Sequence, residues 1–390
     1  MSILFPQQPF NGSNGSNGSN GSNGSNGSNG SNGSNGSNSF AGYSGWVTNP
    51  LLAYAMTLTR ESLVVPSETG DQRTHVPQRA WTADDNLPEP NQSNYLRRWD
   101  ETTRFHLLYT DLVAGLRFEH EATGRANVFF RDAGGDERPL VSIQRPDRAV
   151  FEKHLTRVFA KSAERNDRSA EILTQVTPQF AFWGAVCNLH PSRTPWTIEL
   201  SQLAIFFAML VCQRIKHTLA CPRPIEYSPL IQPMVLTPTY SALPSGHATE
   251  ALMFTRTFCN LQGTVDLKAS LPTAPTATQL DLLAERIADN RVVAGLHFPI
   301  DSIAGFLLAD ALAEYFHARA FGGKVRARYF DGRSAMQDDE PSVKLLNNLP
   351  EATEGERLSI AVDKGFAPEP SPMLKYMFDR ARAELTYAQD

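Results

Sequence analysis

The sequence predicts an all-α fold: a helical bundle with an extended amino-terminal arm and room for one small β-hairpin. Three observations carry this. Apolar residues recur at helical spacing through most of the stretch from 147 to 319, proline-rich connections separate those runs, and β-prone residues collect in one short region before them. The chain has 390 residues, 41% of them hydrophobic, enough for a sizeable core. Its 36 Lys and Arg against 41 Asp and Glu give a net charge of −5. Binding a phosphate backbone requires a basic excess that is missing here, so nucleic acid is not an expected partner.

Residues 1–39 are dominated by an Asn-Gly-Ser repeat running from Asn11 to Ser37. With no apolar side chains it cannot offset the entropy of ordering, which predicts a flexible tether with a reach of about 30 Å. Residues 40–94 carry Pro50, Pro66, Pro77, Pro88 and Pro90 and suggest an extended arm. A helical catalytic domain is expected over 95–320. It opens with Tyr95 to Gly124, where Trp99, Phe105, Leu108, Leu112, Leu116 and His120 share one helical stripe. Asn127 to Ile143 holds two β-prone runs around Ala133-Gly134-Gly135-Asp136, the pattern of a hairpin. Helices are then predicted at about 147–164, 168–188, 196–219, 247–261, 277–294 and 299–319. Residues 321–390 form a polar extension after Phe321-Gly322-Gly323, ending in an amphipathic helix from about Pro372 to Tyr387. That helix can pack on the body or on a second subunit, which leaves a homo-oligomer open.

Cys187, Cys212, Cys221 and Cys259 make neither a CxxC pair nor a dense disulfide framework, so free thiols in a reducing compartment are expected. The start MSILFPQQPF lacks the basic and apolar regions of a secretory signal. The apolar runs Leu203 to Cys212 and Ile303 to Ala313 fall short of the roughly 20 residues that span a bilayer, and Asp310 interrupts the second. A cytoplasmic protein without a transmembrane segment is the expectation.

The chemistry concentrates between residues 216 and 301. Lys216 ends an apolar helix, and Arg223 follows in Cys221-Pro222-Arg223-Pro224, so the two cations can converge across a turn. Pro244 leads into a helix whose first turn is Ser245-Gly246-His247, where unpaired backbone N–H groups favour an anion and glycine permits close approach. His297 and Asp301 are one helical turn apart after the Pro299 start, so the carboxylate can orient one ring nitrogen and leave the other free. Arg291 adds a third cation. Each residue alone has an ordinary reading as a cap, a turn or a solvated charge. Together they suit one ligand, a tetrahedral oxyanion.

These residues resemble the superfamily that joins type 2 phosphatidic acid phosphatases, bacterial acid phosphatases and vanadium-dependent haloperoxidases. Its pattern is Lys-x6-Arg-Pro, then Pro-Ser-Gly-His, then Ser-Arg-x5-His-x3-Asp. Here it runs from Lys216 to Arg223-Pro224, from Pro244 to His247, and from Asn290-Arg291 to His297 and Asp301, with Asn290 in place of serine. The resemblance implies a helical bundle of the acid phosphatase and haloperoxidase type. It also implies that Lys216, Arg223, Arg291, Ser245 and the Gly246 amide hold equatorial oxygens. His297, oriented by Asp301, would bond the central atom, as axial ligand of vanadium if vanadate is bound, and His247 would serve as acid and base.

Two reactions follow from the resemblance, each on a small-molecule substrate. A haloperoxidase uses vanadate as cofactor, with peroxide and halide as substrates; a phosphomonoesterase acts on a phosphate ester through a phosphohistidine and needs no cofactor. Tyr240 stands where haloperoxidases tend to carry an aromatic or histidine beside the halide, and a soluble chain with helices before the motif resembles that branch. A third expectation, a helical assembly protein keeping the site as an anion-binding relic, gives no reason to retain both histidines.

Overall fold

A computed structural model of the chain describes residues 50–63, 89–176, 179–263, 265–266, 271–272, 275–334, 340–347, 349–352 and 358–387. The Asn-Gly-Ser tether lies outside them. The chain divides into two compact units, Ser2–Asn91 and Gln92–Asp390. In the first, Pro50–Leu63 forms a helix, α1, where the arm was expected to be extended. Pro50 stands at its first position, where the missing N–H costs no intrahelical bond.

The second unit begins with α2 (Glu101–Ala114), capped by Asp100, whose side chain accepts from Thr103 N at 2.9 Å. Three strands follow, β1 (Leu116–Glu121), β2 (Arg125–Arg131) and β3 (Glu137–Gln144). Next come α3 (Arg148–Lys161), α4 (Arg165–Thr174), α5 (Phe180–Cys187), α6 (Pro195–Leu219), α7 (Pro224–Tyr227) and α8 (Gly246–Gln262). A minimal hairpin, β4 (Val265–Asp266) and β5 (Leu271–Pro272), leads to α9 (Pro275–Val293) and α10 (Pro299–Phe321). The remaining elements are β6 (Arg328–Asp331), β7 (Glu351–Ala352), β8 (Leu358–Ala361) and α11 (Pro372–Tyr387).

The all-α expectation is wrong. A six-stranded mixed sheet, ordered β1-β2-β3-β6-β8-β7, accompanies the bundle, so the fold is α/β. The expected hairpin is present as β2 and β3, antiparallel, but β3 also pairs in parallel with β6, roughly 190 residues later. The stripe drawn through Tyr95 to Gly124 breaks at Gly115, which caps α2; Leu116 to Glu121 is a strand with His120 exposed, and Trp99 is 41% exposed. Leu112, Leu116 and His120 are four apart, which mimics a helix. Leu116 and Phe118 also alternate with polar neighbours, which is the strand pattern that prevails once paired with β2.

Helix α8 is the hub, packed against α6, α9 and α10 and buried along nearly its whole length. No face of it reaches water over most of that length, and the polar Thr249, Thr255, Arg256, Thr257 and Asn260 are buried along with its apolar residues. At Gly305 on α10 an added Cβ would stand 2.7 Å from Ser245 O and 3.0 Å from Ala248 Cβ. Only glycine lets the start of α8 lie that close to α10. The sheet meets the bundle through α10, and the contact is charged as well as apolar. Arg328 on β6 donates to Asp310 on α10 at 2.9 Å, and Arg256 on α8 donates to Asp281 on α9 at 2.9 Å while approaching Asp310 at 3.6 Å. Asp310, which interrupts the apolar run of α10, is thus neutralised inside the core. Helix α11 docks on α6 and α10 with Leu374, Met377, Phe378 and Ala381 buried.

Among the described residues one helical stretch, Pro195–Tyr227, is long and apolar enough to cross a membrane, and 72% of its apolar window is buried inside the protein. The short-run expectation for this helix therefore fails on length. Its burial against α8 and α11 is what its apolar surface serves here. Among the described residues no disulfide joins Cys187, Cys212, Cys221 and Cys259.

Candidate active site

The loop between α7 and α8, and the ends of α6, α9 and α10, bring the motif residues together. Lys216, in the last turn of α6, is buried and donates from Nζ to the carbonyls of Ser241 and Ala242 at 2.9 and 2.8 Å. Those bonds tie α6 to the loop that leads into α8. Arg223 reaches across the same loop. Its Nε donates to Tyr240 O at 3.0 Å, and its Nη1 donates to Leu296 O at 2.9 Å and lies 2.9 Å from His297 Nε2.

That last contact decides the state of the histidine. A guanidinium has donors and no acceptor, so His297 Nε2 must supply a lone pair. The ring proton is then on Nδ1, which donates to Asp301 Oδ2 at 3.0 Å. Asp301 Oδ2 also accepts from Phe298 N at 2.9 Å, and the residue is fully buried. Burial holds His297 well below its ordinary value, with Arg223, Lys216, His247 and Arg291 adding repulsion. Burial pushes Asp301 upward, opposed by the Phe298 amide, Lys216 and Arg223. Lys216 is lowered for the same reason, loss of hydration in a buried site.

Ser245 caps α8, its Oγ accepting from Ala248 N at 3.4 Å, while its own N donates to Asp301 O at 2.7 Å. The first turn of α8, Gly246 and His247 included, therefore abuts the first turn of α10. His247 Nε2 is 2.8 Å from Gln175 O, an acceptor only, so Nε2 carries the proton and Nδ1 the lone pair. Burial, then Arg291, drives its value down to about 3. Arg291 donates from Nη2 to Ile172 O at 3.1 Å and to Gln175 Oε1 at 3.3 Å, and burial lowers it to about 10. The Tyr240 ring lies 5.5 Å from Lys216 Nζ and 5.3 Å from Arg223 Cζ and is 36% exposed, beside two of the site's cations.

Two donors in this pocket, Arg223 Nη2 and Arg291 Nε, are buried without a hydrogen-bond partner. Buried donors are nearly always satisfied, so a pair of orphans beside an unprotonated imidazole nitrogen, held for now by Arg223 Nη1, fits a bound oxyanion. Among the described residues no group of three or more His, Cys, Asp or Glu is placed to hold a metal cation. The donor set is one for an anion.

Residues 201–321, which contain every motif residue, match the PAP2 superfamily. No curated protein matches the chain. PAP2 proteins are typically phosphatases or haloperoxidases, so the match over these residues supports an enzyme of one of these two chemistries.

The PAP2 match leaves out α4, yet α4 and the residue after it complete the site. Asn290, the departure from the PAP2 serine, donates from Nδ2 to Glu171 Oε2 at 3.0 Å and to Gln175 Oε1 at 2.9 Å. Glu171 also accepts two bonds from Arg286, at 2.9 and 2.7 Å, and this pairing above all lowers its value to about 2. The amide thus does what a hydroxyl, with one proton, could not: it donates at once to Glu171 on α4 and to Gln175 just after it. Glu171 and Gln175 escaped the sequence reading because no motif surrounds them. Glu250, one turn into α8, was also missed. Half-buried, it is pushed up to about 7 by burial, with Lys216 opposing, and its Oε1 lies 3.5 Å from where a Gly246 Cβ would be.

Proposed function

We propose that the protein is a vanadate-dependent, haloperoxidase-like enzyme that oxidises a halide with hydrogen peroxide. One observation carries this: His297 Nε2 keeps its lone pair in a pocket where buried N–H groups of Arg223 and Arg291 have no partner. An unsatisfied buried donor costs on the order of 1–3 kcal/mol, and a four-oxygen anion relieves that cost. The residues fit vanadate: His297 would hold it through Nε2, and Lys216, Arg223, Arg291, Ser245 and the Gly246 amide would meet its oxygens. Bound there, vanadate supplies the activation of peroxide toward halide.

The chain's own groups prepare and serve that chemistry. Asp301 fixes the proton on His297 Nδ1 and so keeps Nε2 available. Lys216, Arg223 and Arg291 make the pocket attractive to anions. His247, its Nε2–H committed to Gln175 O, takes up a proton at Nδ1 from an incoming hydroxyl and returns it on release. Tyr240 favours this branch because its partly exposed ring beside two cations offers a weakly hydrated halide both an apolar wall and opposite charge.

A second reading, a metal-independent phosphomonoesterase, is favoured by Glu250, whose carboxyl near Gly246 repels a halide when ionised. In that reaction His297 Nε2 attacks phosphorus as the P–O bond to the alcohol breaks. His247, taking up a solvent proton at Nδ1 as the negative charge of the bound ester offsets Arg291, gives that proton to the alcohol and then takes one from the water that cleaves the phosphohistidine.

One paired assay tests both. The expected result is bromination of a phenolic dye by peroxide that needs added vanadate and disappears in His297→Ala. Hydrolysis of a chromogenic phosphate monoester without added metal, with no turnover of any halide, would replace the first reading by the second. Neither activity in the unaltered protein would overturn both and leave the anion-binding relic.

A further inference from the structure

We infer that Gln175 is a positioning residue of the oxyanion cup: its side chain aims Arg291 while its main-chain carbonyl separately orients His247. This rests on the cup as read above. Gln175 directly follows α4, lies outside the residues that match the PAP2 superfamily, and is fully buried. Its Oε1 accepts from Asn290 Nδ2 at 2.9 Å and from Arg291 Nη2 at 3.3 Å. Arg291 can only donate, so the amide oxygen, not the nitrogen, must face α9.

The guanidinium is planar and rigid. Holding Nη2 between Gln175 Oε1 and Ile172 O at 3.1 Å therefore fixes the direction of Nε, which is one of the two orphaned donors of the pocket. Behind Gln175, Glu171 anchors the same Asn290 amide and is itself clamped by Arg286, so the aiming group has a rigid support. The main-chain oxygen of Gln175 holds His247 at 2.8 Å. One residue thus sets two functional groups through chemically separate atoms, and substitution touches only one of them.

Gln175→Leu keeps the side-chain bulk and removes the acceptor; Gln175→Glu gives an acceptor oxygen back to both partners. Orthovanadate binding is measured by calorimetry on the full chain, alongside the melting temperature and the pH profile of turnover. In Gln175→Leu, vanadate affinity is expected to fall about tenfold, the loss that follows from one orphaned charged donor. Gln175→Glu should recover most of it. The His247 limb of the pH profile should stay in place in both, because the carbonyl is untouched. Added to Arg291→Ala, Gln175→Leu should cost little more. If Gln175→Leu does not fold, Gln175→Ala is read in the same way.

Wild-type affinity in a folded Gln175→Leu protein, or a folded Gln175→Glu protein that recovers none, overturns the inference and leaves the cup standing. Unaltered protein that binds no vanadate overturns the cup itself.

Discussion

Replacing Asp301 by asparagine probes the link on which His297 depends. Asp301 Oδ2 accepts from His297 Nδ1 at 3.0 Å and from Phe298 N at 2.9 Å, while Oδ1 is buried without a partner. An asparagine can keep both bonds only by putting its oxygen where Oδ2 is, which buries its NH2 with nothing to donate to. The opposite orientation sets that NH2 against the Phe298 N–H. Geometry therefore survives, but a charge-assisted bond of about 1.5–3 kcal/mol becomes a neutral one of about 0.5–1.5. The difference, about 1–2 kcal/mol, corresponds to about a five- to thirtyfold loss in any step that needs His297 anchored as the Nδ1–H form. Removing the carboxylate also leaves Lys216, Arg223 and Arg291 less neutralised, so ground-state anion binding should hold or tighten. The signature is a fall in kcat with KM unchanged or lowered, from steady-state kinetics on whichever substrate the paired assay identifies. A raised KM with intact kcat would refute the role of Asp301 in orienting His297.

Arg165 donates to the carbonyls of Val293, Gln232 and Ile231 at 2.9, 2.8 and 2.9 Å and so ties the loop between α7 and α8 to the end of α9. Arg165→Met should raise KM severalfold while barely changing the pH profile; an unchanged KM contradicts this. Burial keeps His247 neutral down to about 3, whereas the unfolded chain takes up that proton near 6.5. Between those values the unfolded state binds more protons, so stability falls as pH drops through the window. Glu250, raised to about 7, acts in the opposite sense. Urea midpoints at pH 7 and 5 for the unaltered protein and His247→Gln isolate the histidine: the variant should lose less on acidification, and an equal loss contradicts the assignment. Phe378 is fully buried in the docking face of α11, and Phe378→Ala should cost about 3–5 kcal/mol of unfolding free energy by denaturation. A cost below about 1 kcal/mol would show that α11 is not part of the cooperative core.

The placement of the candidate residues was more legible than the sheet. Lys216, Arg223, Ser245, His247, Arg291, His297 and Asp301 fall at helix ends, where proline and the seven-, six- and four-residue spacings fix which side chains can meet. The bounds of α6, α8, α9 and α10 were legible for the same reason: these helices are long and bracketed by proline or glycine. The predicted 168–188 helix proved to be two, α4 and α5, and the break between them is what frees the carbonyl of Gln175 for His247. The sheet was not legible beyond its first hairpin. Strands β6, β7 and β8 are four, two and four residues long, too short for a periodicity to announce them, and β6 finds its parallel partner β3 far along the chain. Glu171 and Gln175 have no signal of their own, and only the asparagine at 290 hinted that something other than a hydroxyl's partner lay opposite it.

The central claim is that these side chains form one cup for a tetrahedral oxyanion bonded through His297. A crystal structure of the protein grown with orthovanadate tests it most directly. The account predicts vanadium bonded to His297 Nε2, with the freed N–H groups of Arg223 and Arg291 on its oxygens. Vanadate bound away from His297, or a pocket left without it at saturating concentration, would contradict the account.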